Sequence, residues 1–226
     1  MLLKLNLGCG PQVVDGWVNV DYALGARLAA TPVLGAAVRG LGLFNLRWNP
    51  RIRIHDLTKP LPWPDSTVDV CYTSHTVEHM SRDEGHRLVT EAFRVLRPGG
   101  VLRVVVPDLR QLVEQYASGK LAAEYVVEEL GVLYGIGKGG LRRLFAPMVE
   151  FPHKCMYDTE AMVRLLNGCG FQATGRAAFD SAIDDIRRIE IEARTQGAVV
   201  VEGMKPQQSP SLDRKSLSPE LLPTAL

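Results

Sequence analysis

The chain has no paired cysteines, almost no net charge, no long apolar run and no internal repeat, and each absence removes a class of protein. Cys9, Cys71, Cys155 and Cys169 are widely scattered and show none of the C-x-x-C spacing a zinc site would want, so no metal is expected. They read as buried thiols in a reducing compartment. A formal net charge of +1 offers nucleic acid no whole-chain attraction, and no RNA-binding module or aromatic stacking motif is visible. Any electrostatic partner must be recognised by a local patch. The longest nearly apolar stretch, residues 28–38, contains Pro32 and is followed by Arg39, well short of the roughly 20 residues that cross a bilayer. At the other end, Met1-Leu2-Leu3-Lys4 runs straight into a first strand and leaves no room for a signal peptide, so a cytoplasmic address is expected.

What is present is enough for one substantial α/β core: 226 residues, 46% of them hydrophobic and 23% charged. Short apolar runs rich in β-branched residues mark strands at 3–7, 18–20, 52–54, 68–72, 101–106, 171–178 and 198–202. Helices fall between them. Ser81 and Glu84 form a capping box ahead of Leu88, Val89, Ala92, Phe93 and Leu96, with Pro98-Gly99-Gly100 as the stop. Asp108 caps a helix whose Leu109, Leu112, Val113 and Tyr116 make one apolar stripe, and Asp158 opens another through Met162, Leu165 and Leu166. The alternation predicts a Rossmann-like, doubly wound, mostly parallel sheet within a single domain over 1–205. Helical insertions at about 23–49 and 120–148 are expected to lie over the sheet as a lid. Residues 206–226, rich in Pro, Ser and Gln, are expected to form a disordered tail.

The central signal is LNLGCGPQVVDGWVNVDY, which reads as strand, glycine turn, strand and acidic residue. Gly8 and Gly10 lack side chains, so the backbone can bend sharply and a ligand can approach it closely. Asp21 ends the second strand, where a carboxylate can accept hydrogen bonds from both hydroxyls of a ribose and repel a 2′-phosphate. The spacing from Gly8 to Asp21 is shorter than the roughly 20 positions of the dinucleotide fingerprint, and Val13 stands where its third glycine would. This argues against NAD.

Downstream come HDLTKPLPWPDSTVDVCYTSHTVEHM and EAFRVLRPGGVLRVVVPD in the same order and at workable distances. With these segments the chain resembles the class I S-adenosylmethionine-dependent methyltransferases, specifically the broad group labelled type 11. The likeness runs from about residue 3 to 106 and, more loosely, through HKCMYDTEAMVRLLNGCGF. It implies S-adenosylmethionine as cofactor, with Leu7, Gly8, Cys9 and Gly10 around its methionine part and Asp21 on its ribose. It also implies Asp56 and Leu57 at the adenine and His75 beside the methionine end. Asp56 followed by Leu57 is equally a loop cap. Asp69, ahead of the fourth strand, reads as structural, and His55 and His86 as surface residues.

Methyl transfer needs a general base only if the acceptor must lose a proton, and histidine is then the expected residue. His79 and His153 are the candidates for assisting the acceptor, against plainer readings as a helix-opening residue, shared with Glu78, and a loop histidine. The acceptor class expected is a small molecule or a glycan- or lipid-linked precursor. Arg27, Arg39, Arg47, Arg51 and Arg53, with the stripe Leu34, Ala37, Val38 and Leu41, offer a weak membrane-surface association. The plainer alternative is a packed stripe with solvated arginines. A non-catalytic methyltransferase-like binding protein and an NAD-dependent oxidoreductase stay open as alternatives. The sequence does not set the oligomeric state.

Overall fold

Strand β1 (Lys4–Leu7) starts the chain's core: Leu5 and Leu7 are fully buried on one face, and Asn6 on the other is buried by donating to Asn19 Oδ1 at 3.0 Å. The computed structural model describes residues 2–31, 48–133 and 151–207. The strands after β1 are β2 (Val18–Asp21), β3 (Arg53–Ile54), β4 (Val68–Ser74), β5 (Leu96–Pro107), β6 (Gln172–Gly175) and β7 (Ala198–Met204). They form one seven-stranded sheet in the order β3-β2-β1-β4-β5-β7-β6. Strands β1 to β5 are parallel, while β7 runs antiparallel to both β5 and β6.

One face is covered by the helices Arg82–Val95 and Thr159–Gly168, whose Leu88, Val89, Ala92, Met162 and Leu166 pack on Leu5, Leu7, Leu102 and Val104. Burying each such Leu or Val contributes about 1.5–3 kcal/mol before conformational entropy is subtracted. The other face is covered by Val14 and Trp17 from the β1–β2 connection and by Ile183, Ile186 and Ile189 near the C-terminus. No helix forms between β1 and β2, as the short spacing around Pro11 and Asp15-Gly16 predicts.

The capping box at Ser81 and Glu84 is formed, and Asp108 and Asp158 each cap their helices through the side chain. Several expectations need correction. Pro98-Gly99-Gly100 lies inside β5, not between helix and strand. The turn is absorbed by an irregularity of the β4–β5 register and by backbone bonds from Gly99 N to Lys205 O (2.8 Å) and Lys205 N to Gly100 O (2.9 Å). Asp69 sits within β4, where it accepts the Leu3 amide and pairs with Arg97, so its structural role holds. The Leu109–Ala117 helix has the expected period, yet none of its residues is buried and Val113 and Tyr116 are half exposed. His55 is half-buried rather than fully exposed, and its Nε2 is buried without a partner among the described residues. His86 is exposed, as expected.

All four cysteines are free. No described helix is long and apolar enough to cross a membrane. The described arginines of the basic segment are engaged within the protein: Arg27 over the Tyr22 ring, Arg53 over the Trp63 ring, and Arg51 with Asp15 at 2.9 Å. Leu34, Ala37, Val38, Leu41, Arg39 and Arg47 lie outside the described residues, as do most of the 23–49 insertion, 134–148 and the tail from 208.

Candidate functional site

The chain winds away from β1 in one direction, to β2 and β3, and away from β4 in the other, to β5. The carboxyl ends of β1 and β4 therefore face a crevice that no connection among the described residues crosses. The glycine turn after β1 enters this crevice. Gly8 N and Cys9 N both donate to the Val20 carbonyl, at 2.9 and 3.0 Å, which folds the turn back onto β2. Gly8 has φ +75°, and a Cβ there would stand 2.1 Å from Thr76 Oγ1, so only glycine lets the turn seat against the loop after β4. Gly10 differs. Its φ of +58° also favours glycine, but a Cβ would meet nothing within 4 Å, so this bend faces open space.

Asp21, buried at the end of β2, accepts from Gly10 N through Oδ2 (2.8 Å) and from Ala23 N through Oδ1 (2.7 Å). The carboxylate thus braces the turn, and each oxygen keeps a further lone pair for a ligand. Leu7 is fully buried and offers the crevice its backbone only. The Cys9 thiol, pushed up to about 12 by burial and by the Asp21 charge, stays protonated and donates to Gly10 O at 3.2 Å.

Asp56 and Leu57 follow β3 by two residues and do not end it. Asp56 Oδ1 accepts from Thr58 N (3.0 Å) and Thr58 Oγ1 (2.7 Å), so the loop-cap reading is realised, with Oδ2 left unassigned. Burial raises the Asp56 pKa, but the Thr58 bonds and the charges of Lys59 and His55 outweigh it, holding the carboxyl below its ordinary value. Leu57 is buried in the core.

Beyond β4 the chain enters a left-handed residue at His75 (φ +51°) and a single 3-10 turn at Val77–His79. The His75 ring is held from both sides, Nε2 bonding with the Arg194 carbonyl at 2.9 Å and Nδ1 standing 3.3 Å from Glu78 Oε1. Burial lowers its pKa, but these neighbours outweigh burial and hold it above the usual value. Both ring nitrogens are thus occupied by protein.

Glu78 is fully buried, and its backbone carbonyl accepts from Lys154 N (2.7 Å) and Cys155 N (3.1 Å). Those two bonds draw the distant segment at residues 151–155 onto the turn. As a result the His79 and His153 rings lie 5.0 Å apart between centroids. Burial dominates at His79 and holds its pKa below the ordinary value despite the Glu78 charge, so the ring is neutral near pH 7. His153 N donates to Gly131 O (2.9 Å), and its Nδ1 bonds with Leu130 O at 2.7 Å. Gly131 has φ +65°, and a Cβ there would sit 2.9 Å from the His153 ring, so this glycine admits the imidazole.

Sequence reasoning found both histidines but not what joins them. From sequence Glu78 reads only as a helix-opening residue, and nothing local marks Thr76, Leu130 or Gly131. The available signal was an acidic residue between apolar Val77 and His79 in a turn directly after a buried strand.

Residues 5–104, which hold the glycine turn, Asp21, Asp56 and the His75–His79 turn, match the family described as methyltransferase domain. Over that stretch, somewhat under half of its length, the chain is similar to methyltransferase domains. S-adenosylmethionine, named for the curated relative below, is the cofactor that this likeness implies. A curated relative from Mycolicibacterium smegmatis, named "Probable S-adenosylmethionine-dependent methyltransferase/", is 43% identical over 60 residues. That match covers 26% of this chain and 23% of the relative, so the chain spans under a quarter of that protein's length. Among solved structures, the chain is similar to an S-adenosylmethionine-dependent methyltransferase of Methanosarcina mazei (18% identity, 91% and 92% of the two chains, TM-score 0.49). It is also similar to YcgJ of Bacillus subtilis (14% identity, 92% and 93%, TM-score 0.46).

Proposed function

We propose that residues 1–205 act as one methyltransferase domain. It moves the methyl group of S-adenosylmethionine to a small-molecule or glycan- or lipid-linked acceptor entering beside His79 and His153. The observation that carries this reading is the pairing of Gly10, whose outer side faces open space, with Asp21, whose oxygens each retain a lone pair next to it. Such a bend and carboxylate fit a ribose diol and an amino-acid tail. A diphosphate would want a helix N-terminus after the glycines, and the β1–β2 connection forms no helix. This disfavours a nicotinamide dinucleotide.

The cofactor supplies an activated methyl group on a sulfonium sulfur; the chain's residues bind, align and exclude water. Holding donor and acceptor in line can contribute about 7–11 kcal/mol of barrier lowering. Gly8 and Gly10 let the backbone approach the ligand, Asp21 fixes the ribose, and Leu57 and Asp56 border the adenine. His75 shapes the methionine end through its backbone and not through a free ring nitrogen. His79 and His153 assist the acceptor on the far side of the crevice.

Calorimetry against S-adenosylmethionine and NAD tests the cofactor assignment: saturable binding of the first and none of the second is expected. The reverse result overturns it. For an acceptor found by screening, alanine at His79 or His153 lowers turnover. Unchanged turnover in both removes their role.

A further inference from the structure

We infer that Glu78, His79 and His153 bind one divalent transition-metal ion on the acceptor side of the crevice. The Glu78 carboxylate is 0% exposed, and neither of its oxygens has a hydrogen-bond partner among the described residues. His75 Nδ1 at 3.3 Å from Oε1 gives ion-pair contact without hydrogen-bond geometry. His75 compensates this buried carboxylate only through Oε1 and off hydrogen-bond geometry, and Oε2 has no partner among the described residues, so a cation that meets both oxygens directly would offset the cost of burial. Glu190, one of two other buried glutamates among the described residues, shows the contrast. Glu190 takes Arg103 Nε and Nη2, both at 2.9 Å, and the Phe179 amide as well.

The two histidines complete a donor set. His79 Nδ1 is buried with no partner among the described residues. The Leu130 carbonyl can only accept, so the neutral tautomer of His153 carries its proton on Nδ1 and presents its lone pair on Nε2. A backbone carbonyl fixing the far nitrogen is the arrangement that orients ligating histidines. One ligand atom from each of Glu78, His79 and His153 lies within 4.8 Å of the others. A tetrahedral ion with bonds of about 2.1 Å spaces its ligands about 3.4 Å apart, so binding draws the three together. Two imidazoles and one carboxylate suit Zn²⁺, Co²⁺, Fe²⁺ or Mn²⁺ and leave coordination positions open.

Binding stands on this geometry alone; the ion's role rests on the methyl-transfer reading. A hydroxyl acceptor placed on an open position loses its proton to water more readily beside the dication. The O–CH₃ bond then forms as the C–S bond of the sulfonium breaks, and the sulfur leaves as a neutral thioether. A histidine that ligates the ion has given up its lone pair. The assistance proposed for His79 and His153 is therefore delivered through the ion and not as a base.

The test uses the full chain, stripped with chelator and titrated with CoCl₂ and ZnCl₂ by calorimetry and visible spectroscopy, without S-adenosylmethionine. One ion per chain is expected, with cobalt d–d bands and no thiolate charge-transfer band. His153→Gln, on a half-exposed loop, and Glu78→Gln, checked by circular dichroism, should each weaken binding by more than about 100-fold, the upper end for loss of an outer-shell partner. Cys155→Ser should leave it unchanged. Three results overturn the site: no saturable one-to-one binding, affinity unchanged in both variants, or a thiolate band lost with Cys155. S-adenosylmethionine binding, measured separately, reports on the cofactor reading independently of these outcomes.

Discussion

Asp21 and Glu78 are both acidic residues at the carboxyl edge of one sheet, both buried, and the protein treats them in opposite ways. Asp21 is met by two backbone amides and keeps lone pairs facing the open bend at Gly10. Glu78 is more deeply buried, yet its oxygens accept no well-formed hydrogen bond among the described residues, and its partner is the His75 ring, 3.3 Å from Oε1. The difference lies in the backbone. A strand followed by a glycine turn points N–H groups back at its neighbour's end, whereas the 3-10 turn at Val77–His79 directs the Glu78 carbonyl, not an amide, into bonding. A carboxylate satisfied by amides is ready for a neutral diol, and one left bare is ready for a cation.

The sharpest way to break this contrast is at the buried network that satisfies its carboxylates fully. Arg103 uses all five of its N–H groups on Glu190, Glu202, Asp180 O and Ala177 O. Arg103→Leu should therefore lower stability by about 3–5 kcal/mol in urea unfolding, because two carboxylates lose their counter-charge in a buried setting. A loss under about 1 kcal/mol would mean that unmet buried carboxylates are tolerated here, and the reading of Glu78 would fall with it.

On the proposed ribose role, Asp21→Ala removes two charge-assisted bonds at about 1.5–3 kcal/mol each, so affinity for S-adenosylmethionine should drop by about 100-fold or more. Calorimetry showing wild-type affinity would sever Asp21 from the ligand. The two glycines separate seating from binding. Gly8→Ala combines left-handed strain with the overlap on Thr76 and should cost about 2–4 kcal/mol of stability. Gly10→Ala should cost about 1 kcal/mol in thermal unfolding, yet should still weaken cofactor binding.

The smallest expected effect is at Asp158, a carboxylate satisfied by a backbone amide but on the surface. Its bond from Ala161 N holds the carboxyl below its ordinary value of 3.8. That contribution is complete above pH 3.8 and is lost as pH falls through the depressed pKa. Asp158→Ala should remove about 1 kcal/mol at neutral pH and flatten the acid limb of the unfolding curve.

Much of the fold was legible because its signals are local. The runs around Leu5, Val20, Cys71 and Val104 announce buried strands, and Ser81 with Glu84 marks a helix start wherever it occurs. The bend at Gly8 and Gly10 could likewise be read, since a positive φ needs no distant partner to be recognised. What escaped depends on distant contacts. Arg103 sits in an apolar strand and becomes intelligible only beside Glu190 and Glu202, 87 and 99 residues away. The stripe on Leu109–Ala117 has the right period, but periodicity shows which side would pack and not whether anything covers it.

The sequence alone determined the order of strands and helices, the glycine bend and the carboxylate at its side, since backbone sterics and hydrophobic periodicity act within a few residues. Only the tertiary structure decided that Glu78, His79 and His153 meet. Two backbone bonds from Lys154 and Cys155 to the Glu78 carbonyl close a loop of more than seventy residues, and no local preference encodes where that closure falls.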